Sequence, residues 1–278
     1  FAQYCVAHSI QLPQLKRVLS AGAPVSPHIH RCFNQILNDA EVHTPYGATE
    51  CLPIATISSN EVLEDTVQKT ISGAGTCVGH LAPGITVRLI AISDEPLDRF
   101  ADATEVAPGE IGEICATGQV VTTEYKEEPE KTRLAKIRDE DNRIWHRMGD
   151  VGYFDDQGRL WFCGRKAHRV EISDGTVIFP VPCEAVFNQH PAVHRSALVG
   201  VNDKPVIVVE LEKGKFLSAV VLEELLALAA TTDKTEKINT FIAHPSFPVD
   251  VRYNSKIHRL HLRDWAASQS ISAVTKTS

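Results

Sequence analysis

The sequence predicts an α/β fold that continues into an α+β one: an α/β region, a small antiparallel β-sheet or barrel, and a small α+β domain. Three observations predict it. Residues 15–44 read as strand, loop, helix and strand, the alternation of an α/β sheet. From about Thr76 the pattern turns to short β-branched runs bounded by glycine. Beyond Gly164-Arg165-Lys166 a compact mixture of hairpin, helices and strands begins, of the size of a small domain. The expected divisions are 1–164, 165–267 and a polar tail over 268–278.

Residues 15–19 read as a short buried strand running into Ser20-Ala21-Gly22-Ala23-Pro24. Ser26-Pro27 starts a helix, with serine as N-cap and proline at the first helical position. Ile29, Cys32, Phe33, Ile36 and Leu37 form its apolar stripe. Residues 41–44 make a second strand that delivers Tyr46-Gly47-Ala48-Thr49-Glu50 in a loop at its end, where ligands of α/β sheets bind. Strands follow at 85–92 and 109–118, and a helix at 128–137. Short strands are expected at 143–146, 152–154 and 159–164, the last two joined by the turn Asp155-Asp156-Gln157-Gly158. In the last domain 169–172 and 176–179 form a hairpin, 183–190 a helix, and 196–201 and 206–211 buried strands. Ser218 caps a helix with Val221, Leu222, Leu225, Leu226 and Ala229 on one face, and 259–267 is a last helix. No internal repeat is read.

A net charge of -7 argues against a nucleic-acid partner held by bulk electrostatics. No apolar run is long enough to span a bilayer. The seven cysteines are scattered and never spaced Cys-x-x-Cys, which predicts reduced thiols and a cytoplasmic protein. Twelve histidines include no His-Glu-x-x-His, so zinc is not expected. With no initiator methionine, the chain is expected to be the C-terminal piece of a longer protein.

The chemistry gathers in four stretches. In Tyr46–Glu50 a glycine admits a ligand beside an aromatic ring, a hydroxyl and a carboxylate, a set able to stack a base, bond a phosphate and hold a divalent cation. Met148-Gly149-Asp150 offers an aspartate for the hydroxyls of a ribose, and Gly164-Arg165 an arginine for the sugar or a phosphate. Asn254-Ser255-Lys256-Ile257 offers an ammonium for charge developing on an acyl phosphate.

In order and spacing these stretches resemble the acyl-adenylate-forming superfamily of acyl-CoA synthetases, adenylation domains and firefly luciferase, from about Leu15 to Trp265. The resemblance implies the C-terminal part of the family's large domain, with an α/β subdomain and a small antiparallel barrel, followed by a mobile C-terminal lid. It implies ATP, AMP and Mg²⁺ as ligands. Gly22, Ala23 and Pro24 would wall the adenine, Tyr46 beside Gly47 would stack on it, and Thr49 would bind the α-phosphate. Glu50 would ligate Mg²⁺, Asp150 and Arg165 would hold the ribose, and Lys256 would act in the adenylation step.

Departures from the family pattern narrow the expectation. Methionine 148 replaces a threonine, Ser255 a glycine, and Ala167 the hinge Asp or Lys. Val170-Glu171 replaces Ile-Lys, which puts an acidic side chain where thioester-forming members pass the pantetheine arm. Residues 43–53 and 247–257 look most like the bacterial olefin-biosynthesis branch, the β-lactone synthetases. Such enzymes adenylate a long-chain β-hydroxy acid, whose own hydroxyl then displaces AMP, beside partner enzymes of a hydrocarbon pathway. No Ser/Thr/Gly-rich phosphate loop ending in lysine occurs here, so this piece is expected to be inactive alone. The alternatives are a fatty acyl-CoA or acyl-carrier ligase and a non-catalytic nucleotide-binding remnant.

Overall fold

The computed structural model describes residues 1–250 and 256–269. The chain divides into two compact units: Phe1–Gln68 with Thr76–Phe162, and Lys69–Gly75 with Cys163–Ser278. Residues 251–255 and 270–278, including Asn254, Ser255 and most of the expected polar tail, lie outside the described residues.

The first unit is built on a mixed sheet. Its strands are β1 (Val18–Leu19), β2 (Val42–Ala48), β3 (Cys51–Ser58), β4 (Thr76–Leu81), β5 (Ile85–Ile90), β6 (Gly112–Gly118), β7 (Lys136–Arg138), β8 (Ile144–Phe154) and β9 (Leu160–Arg165). They run in the order β1-β2-β3-β4-β9-β8-β6-β5, with β7 beside β8. The pair β1–β2 is parallel, whereas β2–β3, β3–β4, β4–β9, β5–β6, β6–β8 and β7–β8 are antiparallel. The α/β part and the antiparallel part are therefore one hydrogen-bonded sheet, joined where Ala55 and Thr56 of β3 pair with Leu81 and His80 of β4. At that junction a Cβ on Gly79 would stand 2.0 Å from the carbonyl oxygen of Thr56, so only glycine fits.

Several expected elements change. The strand expected at 15–19 shrinks to two residues and is not buried: β1 is the sheet edge and Leu19 is 66% exposed. The helix Pro27–Ile36 does begin with proline, but the Ser26 side chain makes no cap bond. The amides of Ile29 and His30 bond the Ser26 carbonyl instead. Its buried face also holds His30, while Ile29 is half-buried.

The largest change lies at the Tyr46 stretch. It is not a loop after a strand. Strand β2 carries Tyr46, Gly47 and Ala48 and turns back through Thr49-Glu50 into β3, which the sequence did not reveal. Pro53 disguised β3, since proline cannot serve a central ladder. It is tolerated because the register jumps from Tyr46↔Ala55 to Ala48↔Cys51, leaving Pro53 opposite the irregularity.

Two of the expected short strands merge into β8. A bulge sets residues 148–150 against a shorter stretch of β6, with Gly149 at φ 65°. The helix expected at 128–137 stops at Ala135, and Lys136 begins β7.

A repeat unseen in the sequence brackets β8. In the turn before it, Asp139 accepts from the amides of Asp141 and Arg143, from Arg143 Nε and from Trp145 Nε1. In the turn after it, Asp155 accepts in the same way from Gln157, Arg159, Arg159 Nε and Trp161 Nε1. The positive-φ positions, Asn142 and Gly158, correspond as well. Asp-x-x-x-Arg-x-Trp thus clamps β8 at both ends.

In the second unit the strands are β10 (Val170–Glu171), β11 (Val177–Ile178), β12 (Val193–Val201), β13 (Lys204–Leu211) and β14 (Thr240–Ala243). The first two form the expected hairpin. The β12–β13 hairpin turns through Asn202-Asp203, both at positive φ, as a tight two-residue hairpin requires. The unforeseen β14 adds parallel to β13. One face of this sheet, with Leu198, Ile207 and Val209, packs with residues of helices Pro180–Phe187 and Ala219–Ala229. The other face, with Val199, Val206 and Val208, packs with Leu262 and Ala266 of helix Arg259–Ser268. Apolar burial on both faces explains why these strands read as continuous apolar runs. Ser218 caps its helix as expected, accepting from the amide of Val221 at 3.2 Å. Among the described residues no helix is long and apolar enough to cross a membrane.

Candidate functional site

Tyr46 and Asp150, 104 residues apart, meet in the first unit: the Tyr46 hydroxyl donates to Asp150 Oδ2 at 2.7 Å. Strand β2 brings the ring and the bulge of β8 brings the carboxylate, which is 5% exposed. The Tyr46 ring also lies 5.8 Å from that of Phe162. Gly47 lets β2 pass β3 here, since a Cβ would stand 2.4 Å from the Cys51 carbonyl oxygen. The loop of Gly22, Ala23 and Pro24 hangs from the same edge. The Ser20 amide bonds the carbonyl of His43, three residues before Tyr46.

Glu50 sits at the tip of the β2–β3 turn, beside the exposed Thr49. Tyr125 donates its hydroxyl to Glu50 Oε1 at 2.7 Å, and the Thr122 amide bonds the Glu50 carbonyl at 2.9 Å. Lys136 donates to Thr122 Oγ1 at 3.0 Å, and its ammonium lies 5.9 Å from the centre of the Tyr125 ring. Across β7–β8 Lys136 pairs with His146. Burial pushes the Glu50 carboxyl up, but the Tyr125 hydrogen bond, its own amide and the charges of His146 and Lys136 outweigh burial and hold it below its ordinary value. Burial lowers the Lys136 ammonium, against the opposing pull of Glu50 and Cys51.

Tyr125, Lys136 and His146 were not foreseen. The sequence pattern puts Lys136 in a helix over 128–137, and its partnership with His146 exists only through strand pairing. Among the described residues no group of three or more His, Cys, Asp or Glu could hold a metal ion. The single ionised carboxylate of Glu50 fits a Mg²⁺ ion that arrives with phosphate oxygens and water as its other ligands.

The other expected residues belong to the second unit. Arg165 ends β9 and is exposed, and Ala167 lies exposed in the short turn Lys166–His168. Glu171 is exposed and accepts from Arg169 Nε at 2.8 Å. Lys256 is exposed, with its backbone held: its carbonyl accepts from the Asp250 amide at 2.9 Å, and Val249 pairs with Ile257. Helix Arg259–Ser268 follows at once, tied down where Arg259 donates N–H bonds from both terminal guanidinium nitrogens to the carboxylate of Glu184.

Comparison with known proteins places this geometry in context. The profile of the family described as "AMP-binding enzyme" matches residues 1–126. The olefin beta-lactone synthetase of Stenotrophomonas maltophilia (strain K279a) is 46% identical over 94% of this chain and 49% of its own length. That of Xanthomonas campestris pv. campestris is 45% identical over 94% of this chain and 48% of its own. Among solved structures, amide bond synthetase McbA from Marinactinospora thermotolerans superposes with a TM-score of 0.73 at 22% identity, over 95% of this chain and 49% of that one. The chain spans about half the length of the curated relatives it matches.

Proposed function

Because this chain belongs to the AMP-binding, adenylate-forming enzyme family, we propose that the protein activates a carboxylic acid with ATP, forming an acyl-adenylate and pyrophosphate. The observation that carries this reading is the tip of the β2–β3 hairpin. There an ionised, metal-ready carboxylate lies four residues from a tyrosine hydrogen-bonded to the buried Asp150. In the first step a substrate carboxylate oxygen attacks the α-phosphorus of ATP and pyrophosphate leaves. Both partners are anions, so the site must orient them and offset their charge rather than supply a nucleophile. Asp150 takes the ribose hydroxyls, its orientation fixed by Tyr46, whose ring faces the adenine. Thr49 donates to the α-phosphate. A Mg²⁺ ion on Glu50 would supply charge screening for the phosphates. Gly22, Ala23 and Pro24 wall the base. Arg165 on the ribose, Lys256 in the adenylation step and the role of 165–267 as a lid to 1–164 rest on the resemblance alone.

The second step follows the chemistry that the name olefin beta-lactone synthetase describes in the relatives. A long-chain β-hydroxy acid is the substrate. Its β-oxygen attacks the activated carbonyl, loses its proton and expels AMP, closing a four-membered lactone. Glu171 does not by itself exclude coenzyme A, because Arg169 offsets its charge. A cytoplasmic setting beside other enzymes of hydrocarbon synthesis is part of the same proposal.

The test incubates the intact gene product with ATP, Mg²⁺ and a long-chain β-hydroxy acid without coenzyme A, and follows AMP and lipid by mass spectrometry. A β-lactone matched by AMP is expected. Acyl-AMP that persists until coenzyme A or a carrier protein is added would make the protein a ligase. No AMP at all would leave a nucleotide-binding remnant. Residues 1–278 alone are expected to release no pyrophosphate.

A further inference from the structure

Lys136 has no place in the reading above, yet the structure builds it into the surroundings of Glu50. Three contacts bind it there. Its ammonium donates to Thr122 Oγ1 at 3.0 Å, and the Thr122 amide holds the Glu50 carbonyl. It also flanks the ring of Tyr125, whose hydroxyl holds the Glu50 carboxylate. Strand β7, paired to β8 at His146, fixes its backbone. The ammonium is close enough for Lys136 and Glu50 to feel each other's charge, but they form no ion pair. An ammonium has three donors, and among the described residues Thr122 takes one of them in a hydrogen bond.

A half-buried cation and a carboxylate that share the neighbours Thr122 and Tyr125 without pairing with each other suit a ligand that carries both a divalent cation and excess negative charge. In the reading above the nucleoside end is elsewhere, where Tyr46 is hydrogen-bonded to Asp150. We propose that Lys136 is a phosphate-binding residue: its ammonium takes an oxygen of the phosphate chain of the nucleotide whose divalent cation Glu50 holds. This rests on the adenylate-forming reading and adds to it a second cation on the leaving-group side. Lysine suits such a place as a point charge for phosphate.

The test measures binding of ATP, pyrophosphate and AMP to the intact gene product by calorimetry, with Mg²⁺ and again with EDTA. Lys136→Met removes the charge and keeps the stem, Lys136→Gln is a second neutral form, and Lys136→Arg keeps the charge. The neutral variants should bind ATP and pyrophosphate about 10- to 100-fold more weakly, the worth of one charge-assisted hydrogen bond. AMP should bind as before, the deficit should persist in EDTA, and arginine should restore most of it. Unchanged ATP binding would overturn the proposal. So would an equal loss for AMP, which marks a structural role, or a loss confined to Mg²⁺, which marks action through Glu50. A selective loss of fatty-acid binding would assign Lys136 to the substrate carboxylate instead. Failure of the unmutated protein to bind ATP would remove the adenylation reading and this proposal with it.

Discussion

At the scale of single residues, the site contrasts contacts that sequence can show with contacts that only folding makes. Tyr46, Gly47, Thr49 and Glu50 lie within five consecutive positions, so their chemistry could be read directly. Asp150 was also legible, though its bond to Tyr46 was not. Tyr125, Lys136 and His146 gave no local signal, because each reaches Glu50 through pairing or a loop that returns from far along the chain. Their effect on Glu50 is testable. The Tyr125 hydroxyl stabilises the carboxylate, so Tyr125→Phe should raise the Glu50 pKa towards its ordinary value. A group with a depressed pKa keeps its charge until the pH falls through that pKa. The acid-side loss of Mn²⁺ affinity, followed by electron paramagnetic resonance across pH, should therefore move to higher pH in the variant. An unmoved profile would mean that the hydroxyl does not tune Glu50.

At the scale of elements, helix and strand types came through better than their ends. The Ser218 cap, the β10–β11 hairpin and the last helix stand where local chemistry placed them. Strand β3 was hidden by Pro53, and β8 was cut in two by the glycine of its bulge. The paired turns around β8 were missed because the repeat is carried by three side-chain positions rather than by a run of like residues. They make a ranked prediction. In the second turn Arg159 is buried, its side chain 3% exposed, and Asp155 and Asp65 are its anionic partners. In the first, Arg143 is 62% exposed. Asp155→Ala should thus cost about 3 kcal/mol by stranding part of a buried cation, and Asp139→Ala should cost less. Urea midpoints of the two variants check the order; equal midpoints would mean that burial of the arginine is not what matters.

At the scale of the whole molecule, the predicted class holds, with α/β and antiparallel regions followed by a small α+β unit, but the joins differ. The first two regions share one sheet, and Lys69–Gly75 belongs to the second unit although it precedes most of the first in sequence. Neither is a local property, so neither had a sequence signature. Thiol chemistry is a property of both units together. All seven cysteines are free and buried. Burial is the leading cause that pushes Cys51 and Cys77 up to about 11 and Cys163 to about 12, and it raises Cys183 further. Since the thiolate is the reactive form, the native chain at pH 8 should react slowly with a chromogenic disulfide, and seven equivalents should appear on denaturation. A fast native equivalent would reveal local opening around one thiol.

The bulge of β8 also supplies an observation post. Met148 is the single methionine of the chain, 4% exposed and in the same apolar cluster as Tyr46, two positions from Asp150. Labelling methionine methyl groups of residues 1–278 with carbon-13 would therefore place one resonance in the apolar cluster that Tyr46 packs against. Titrating nucleotide against that line would report occupancy and exchange at that place without altering a residue.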